Sequence, residues 1–281
     1  MIYRSSSYIK FLLLYFVLVV GAAITIFPVV WTFLNSIKPA SLTFTIPPRL
    51  LFTPTIDSYK ALFTGGYEAV AIWPYMKNSL IVSIISTFLT LGVSILAAYS
   101  LSRFNFKGKA ILTLGIVATR MLPPVGTIIP MYILMSKLGL LDTHLSLILA
   151  YTALNIPLAV MMLRGFLDEI PSELEEAATI DGCSRLHALA VILVPLILPG
   201  VVATSIFSFL LSWNEFAIAI MLTSRKALTL PLIAMQFRAE EGIAWGPMSA
   251  ASTLALIFPI VFVLLTQRHM VRGLVAGAVK G

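Results

Sequence analysis

The chain has 281 residues, 59% of them hydrophobic and 11% charged, with 19 Lys+Arg against 12 Asp+Glu and a formal charge of +7. Soluble domains run about 45–50% apolar and about 25% charged, so this balance excludes a water-soluble enzyme, and disorder and a collagen-like fibre with it. The single Cys183 cannot form an internal disulfide. The cationic excess reads as cytoplasmic anchoring of a membrane protein rather than nucleic-acid binding.

A membrane-crossing helix needs about 20 mostly apolar residues. Six stretches qualify, at 11–34, 79–101, 110–135, 144–163, 198–222 and 250–266, which predicts an all-α, polytopic membrane protein. The first follows Arg4 and Lys10 but is longer than the roughly 7–15 residues of a signal core and lacks a small-residue cleavage site, so it reads as a retained anchor. The apolar run from 188 to 222 would reach about 50 Å as one helix, against a hydrocarbon core of about 30 Å. Pro195, Pro199 and Gly200 supply a break, which predicts a short interfacial helix followed by the true span. With both termini inside, the 103–109 hairpin and the basic C-terminal segment carry a small positive-inside excess.

No Gly-x-x-x-x-Gly-Lys-Ser/Thr phosphate cradle occurs, and no His/Cys/carboxylate group has metal-ligand spacing. The stretches outside the spans, 35–78, 168–187 and 223–249, are too short for separate domains.

The acids are unevenly placed. Asp168, Glu169, Glu173, Glu175, Glu176 and Asp181 make up half of the chain's acidic residues. Ser172 and Glu175 have capping-box spacing, Asp168 and Glu169 precede the helix where its positive end favours them, and Gly182 sits at a C′ position. Ile170, Leu174, Ala177 and Ala178 recur at helical spacing. The pattern predicts a helix of about ten residues that is too short to stand alone. Either it is a solvated turn, or it packs on a separate protein, with Arg or Lys of the host facing Glu176.

Glu176-Ala-Ala-Thr-Ile-Asp-Gly182, followed by Ile192-Leu-Val-Pro-Leu-Ile-Leu-Pro-Gly200, resembles the EAA loop of binding-protein-dependent ABC-transporter permeases, in sequence and in its place between the fourth and fifth spans. Lys77-Asn-Ser-Leu80 is similar to the start of their transmembrane domain. Leu138-Gly-Leu-Leu-Asp-Thr143, Trp213-Asn-Glu-Phe216 and the tail 272–281 resemble the carbohydrate-uptake branch, nearest the second permease of maltose-type systems. Cys183 departs from the family's usual Ala.

The resemblance implies a six-helix fold of the type I ABC importer permease. An N-terminal anchor and extracytoplasmic loop (1–76) would precede a permease domain (77–267) with a cytosolic coupling loop (168–187), followed by a cytosolic tail (268–281). It implies a subunit of the bacterial inner membrane with both termini cytoplasmic, working with a second homologous permease, a pair of ABC ATPase subunits and an extracytoplasmic solute-binding protein. ATP and Mg would sit on the ATPase partners; this chain would bind no cofactor and catalyse nothing. Glu175, Glu176, Ala177, Ala178, Asp181 and Gly182 would couple to the ATPase. Arg238, Glu240 and Glu241 lie in the loop that in the family reaches the binding protein. The tail resembles tails that contact the ATPase pair; a frayed terminus is the alternative.

Ionisable groups inside spans are functional candidates. Arg120, just before Met121-Leu-Pro-Pro124, either lines an aqueous cavity and donates to sugar hydroxyls or bonds carbonyls freed by the bend. Trp213, Asn214 and Glu215 offer ring faces and acceptors that suit a sugar, though Glu215 could instead pair with Arg120 or with the other permease. Asn155-Ile-Pro157 reads as a break in the fourth span, a pathway feature or an ordinary kink. Two rivals remain: an ion-coupled secondary transporter, which would need more intramembrane carboxylates or histidines than Glu215, and a membrane-embedded enzyme, for which no nucleophile–base or metal constellation is present.

Overall fold

The structure is a computed structural model that describes residues 2–43, 45–65, 71–121, 124–233, 237–239 and 242–278. The chain divides into two units, one formed by Met1–Ile72 with Ala234–Leu256 and the other by Trp73–Ile233 with Ile257–Gly281.

The first unit opens with helix α1 (Ile2–Ser36). Its large apolar side chains from Phe11 to Val30 are exposed, an arrangement that needs lipid or another protein rather than water. Beyond it, the buried Lys38 ammonium lies 5.2 Å from the Trp31 ring centre and 5.4 Å from that of Phe52, a cation held by two aromatic faces. Ser36 and Tyr59 share a 2.7 Å hydrogen bond, which docks α2 (Asp57–Thr64) beside the end of α1. The unit closes with a two-residue antiparallel ladder, β1 (Arg238–Ala239) on β2 (Gly242–Ile243).

The second unit is built on α3 (Trp73–Arg103) and α6 (His144–Asp168). Their packing follows the membrane rule rather than the soluble one. The buried face of α3 carries Ser79, Ser83, Ser86, Thr87, Thr90, Ser94 and Ala98, while Phe88, Leu89, Val93 and Leu96 point outward. Small residues let two backbones approach, and the large apolar side chains are left for lipid. The span expected at 110–135 is two helices, α4 (Lys109–Thr119) and α5 (Pro124–Lys137); Pro124, which opens α5, has no N–H to continue a ladder from α4.

After α7 (Glu173–Ile180), the segment Arg185–Leu196 consists of α8 (Arg185–Ala188), a π-turn at Leu189–Leu193 and α9 (Val194–Leu196). It bends by 81° into α10 (Leu198–Trp213), so the expected break falls at Ile197. Gly200 is required there: a Cβ on it would lie 2.3 Å from the Phe166 ring of α6. The expected fifth span, 198–222, is interrupted once more at 214–216 before α11 (Ala217–Leu222). The short α12 (Leu230–Ile233) precedes α13 (Trp245–Ala278), whose Phe258 and Phe262 stack on Trp213 and Phe209.

Among the described residues, four helices are long and apolar enough to cross a membrane, or five if the bent pair is one span. Two expectations are corrected. The fourth span is not broken at Asn155-Ile-Pro157, because α6 runs unbroken through Pro157. Ser172 makes no side-chain cap bond, because its backbone is helical (φ −68°, ψ −23°) rather than extended and its carbonyl already accepts the Glu175 N–H at 3.0 Å.

Candidate functional site

At the C-terminal end of α3, α7 lies with one face inward and one outward. Glu175 and Ala178 are buried, whereas Glu173, Leu174, Glu176, Ala177 and Ile180 are exposed. The spacing of 175 and 178 places both on one side of the helix. One Glu175 oxygen accepts the Tyr99 hydroxyl, and the other lies 3.3 Å from Arg103 Nε. Arg103 also donates to the Ile170 carbonyl at 2.8 Å, just ahead of α7.

The far end of α7 closes as the sequence predicts. Gly182 has φ +89°, Cys183 N–H donates to the Ala178 carbonyl at 2.9 Å, and Gly182 N–H donates to that of Thr179 at 3.1 Å. This is the six-to-one and five-to-two pattern of a Schellman cap, which favours glycine at C′. Beyond it the Arg185 guanidinium stands 5.0 Å over the Phe104 ring. A cavity of about 360 Å³ opens here, lined by residues that include Arg103, Glu175, Glu176, Ile180 and Arg185. Leu174 of the expected apolar stripe is exposed, as are Ile180 and Leu186. Asp181 is exposed at the α7 C-cap. Nearby, Asp168 accepts from Ser102 at 2.5 Å and pairs with Arg164 at 3.3 Å.

The candidate pathway residues do not gather in one place. Arg120 is exposed at the C-cap of α4. Asn155 is buried in the seam between α6 and α10, with its amide donating to Ser212 Oγ at 2.9 Å and to the Ser208 carbonyl at 3.3 Å. Ser86 of α3 joins the same seam through Ser212 at 3.1 Å, which leaves Asn155 buried between helices. Trp213 is buried too, 2% exposed between Phe209 and Phe258, and its ring faces belong to the core. Asn214 is exposed, its amide donating back to Leu210. Glu215 is half-buried, and its carboxylate accepts the Ile218 N–H at 3.0 Å, which caps the start of α11. Arg238 belongs to β1; Glu240 and Glu241 lie outside the described residues.

Opposite α7, at the N-terminal end of α3, is a cluster that no motif argument assembled. The Asp142 carboxylate accepts the backbone N–H groups of Ser224, Arg225, Lys226 and Ala227 at 3.0–3.2 Å. Burial pushes its carboxyl up, but the Ser224, Lys226, Arg225 and Ala227 N–H groups outweigh that and hold it well below the usual carboxylate range. Asn78 donates to the carbonyls of Lys226 and Leu228 at 2.9 and 2.8 Å, and its oxygen meets His144 Nε2 at 2.7 Å. The Ser79 hydroxyl accepts the Leu230 N–H at 2.7 Å. Lys77-Asn-Ser and Leu-Asp-Thr143 were visible as motifs, but a carboxylate enclosed by backbone donors 82–85 residues away leaves no spacing signal.

A broken-helix bundle with a capped, outward-facing helix between two spans defines a multi-pass membrane transport subunit. Residues 71–275 match the family described as "Binding-protein-dependent transport system inner membrane component", and the chain belongs to it. It is 36% identical over 259 residues to the sulfoquinovosyl glycerol transport system permease protein of Agrobacterium fabrum, covering 91% of this chain and 89% of that one. It is 32% identical over 275 residues to the trehalose/maltose transport system permease protein of Thermococcus litoralis, covering 97% and 98%. The fold matches a chain of a bacterial ABC transporter that imports the acidic polysaccharide alginate, with TM-score 0.79, 19% identity and coverage of 94% and 97%.

Proposed function

We propose that this chain is one of two permease subunits of an ATP-driven, binding-protein-dependent importer of a sugar or sugar derivative. It crosses the inner membrane six times with both termini cytoplasmic: α4 with α5 forms the third span, and α10 with α11 the fifth. The second permease completes the translocation pathway, a pair of ABC ATPase subunits binds ATP and Mg, and an extracytoplasmic solute-binding protein delivers the solute. The chain itself holds no cofactor and catalyses no reaction.

The observation that carries this reading is α7. An eight-residue helix cannot hold itself together in water, yet this one is capped, anchored from one side and left open on the other. Its open face combines Leu174, Ala177 and Ile180 with Glu176, the surface a helix presents to a groove that supplies apolar walls and a cation. Closure of the ATPase pair on ATP would displace α7 and rock the spans toward the binding protein. Arg120 at the end of α4 and Asn214 and Glu215 between α10 and α11 stand at helix breaks, where freed backbone and side chains can meet a solute. Asn155 and Trp213 would shape that wall from behind. Arg238, Glu240 and Glu241 are assigned to contact with the binding protein from their position in the 223–249 segment of the sequence.

The test is Glu176→Lys in the full complex. The variant subunit is expected to insert and to assemble with the second permease, while ATPase subunits no longer co-purify. Normal co-purification and turnover of the ATPase would overturn the docking role. Calorimetry of the cognate binding protein against neutral and anionic sugars identifies the solute class.

A further inference from the structure

The contacts at the two ends of α3 imply a mechanical role that the docking face of α7 does not explain. Four ties join α7 and its flanks to residues 99–104. Tyr99 and Arg103 hold the Glu175 carboxylate, Arg103 holds the Ile170 carbonyl before the helix, and Phe104 lies under Arg185 after it. Tyr99 and Phe104 are themselves packed edge to face, ring centres 5.7 Å apart. Two of these ties are directional hydrogen bonds, from Tyr99 to Glu175 and from Arg103 to Ile170; the others are the Arg103–Glu175 ion pair and the Arg185 cation over Phe104. An apolar contact could slide, and replacing a buried ion pair by apolar residues is often neutral for stability, so the cluster's return is a fixed orientation.

From this anchor α3 runs 31 residues with no proline after Pro74, about 46 Å at 1.5 Å per residue. At its other end Asn78 and Ser79 hold the backbone of Lys226, Leu228 and Leu230.

We propose that Tyr99, Arg103 and Glu175 form a fixed strut, so that α7 and α3 move as one piece and a displacement of α7 is delivered along α3 to the segment 226–230. On this account Glu175 is a positioning residue inside the chain, and the ATPase is met by Glu176 and its exposed neighbours. The proposal rests on the reading that α7 docks on the ATPase.

The experiment uses the complete complex, with spin labels at Glu173→Cys on α7 and Leu96→Cys on α3 in a Cys183→Ala background. Their distance is measured by pulsed electron resonance without nucleotide and with ATP and vanadate. A single narrow distance, the same in both states, is expected with the strut intact. Adding Glu175→Gln, or the milder Tyr99→Phe where that subunit assembles poorly, should broaden the distribution and make its mean shift with nucleotide. The charge exchange Arg103→Glu with Glu175→Arg should narrow it again. A distance that shifts with nucleotide in the intact strut overturns the proposal, and so does a narrow, unshifted distance in both weakened variants. Failure of the docking reading shows separately, as normal ATPase assembly with Glu176→Lys.

Discussion

The two ends of α3 are fastened by opposite means. Near Arg103 the helix α7 itself is held side chain to side chain, Glu175 by a tyrosine and an arginine, with one further bond from Arg103 to the Ile170 carbonyl ahead of it, and α7 keeps its other face open. Near Asn78 it is side chain to backbone: Asp142, Asn78 and Ser79 capture the amides and carbonyls of one segment, 224–230. Backbone capture fixes the path of a loop whatever its side chains are, whereas side-chain capture fixes the rotation of a helix about its own axis. A segment that must present one face to a partner needs the second kind.

The contrast can be broken at several points. Replacing Asp142 by Ala should have the largest effect, a loss of about 3 kcal/mol, because several backbone donors lose one shared acceptor. Thermal unfolding of the purified subunit reads it, and a change below the scatter of surface variants would show the backbone capture to be incidental. The same carboxylate sets a pH dependence. Its folded-state carboxyl is depressed, so its contribution is complete above the ordinary carboxylate value of about 4 and is lost as pH falls below it. The stability gap between the native chain and Asp142→Asn should therefore stay constant down to about pH 5 and narrow only in stronger acid. A gap that closes near neutrality contradicts the assignment.

Gly200→Ala follows, at about 2 kcal/mol, since the new methyl must displace the Phe166 ring or move α10 away from α6. Asn155→Leu should cost about 1 kcal/mol, in the range of hydrogen bonds between membrane helices. A loss of uptake larger than the stability change explains would show that Asn155 meets the solute. Ser172→Ala sharpens the account of α7 most directly. A working capping box would lose about 1 kcal/mol; with Glu175 committed to α3, the loss should stay under about 0.5 kcal/mol.

Much of the coupling segment was legible. Gly182 as the C′ residue followed from the need for positive φ, and the break near Pro199 followed from the missing N–H. The inward or outward turn of adjacent glutamates was not legible. Glu175 and Glu176 are the same residue type; the capping spacing picks out Glu175 for the helix's own start, and only Tyr99 and Arg103, more than seventy residues earlier, turn it into α3 instead. The aromatic–polar run at 213–216 illustrates the converse. It looks like a sugar platform, but α13 supplies Phe258 and Phe262, and stacking within the chain takes Trp213 out of reach.

Composition and hydropathy, acting through the length of a bilayer-crossing helix, determined that this is a helical membrane protein, roughly where its helices run, and that half of its acid sits in the short segment 168–181. Those properties are local, set by residues within a turn or two of each other. The tertiary structure decided which glutamate is a strut and which a surface, that Asp142 encloses a loop, and that α3 buries its hydroxyls and shows its leucines. Each depends on groups brought together from distant parts of the chain, where the choice between water, lipid and another helix is made by packing.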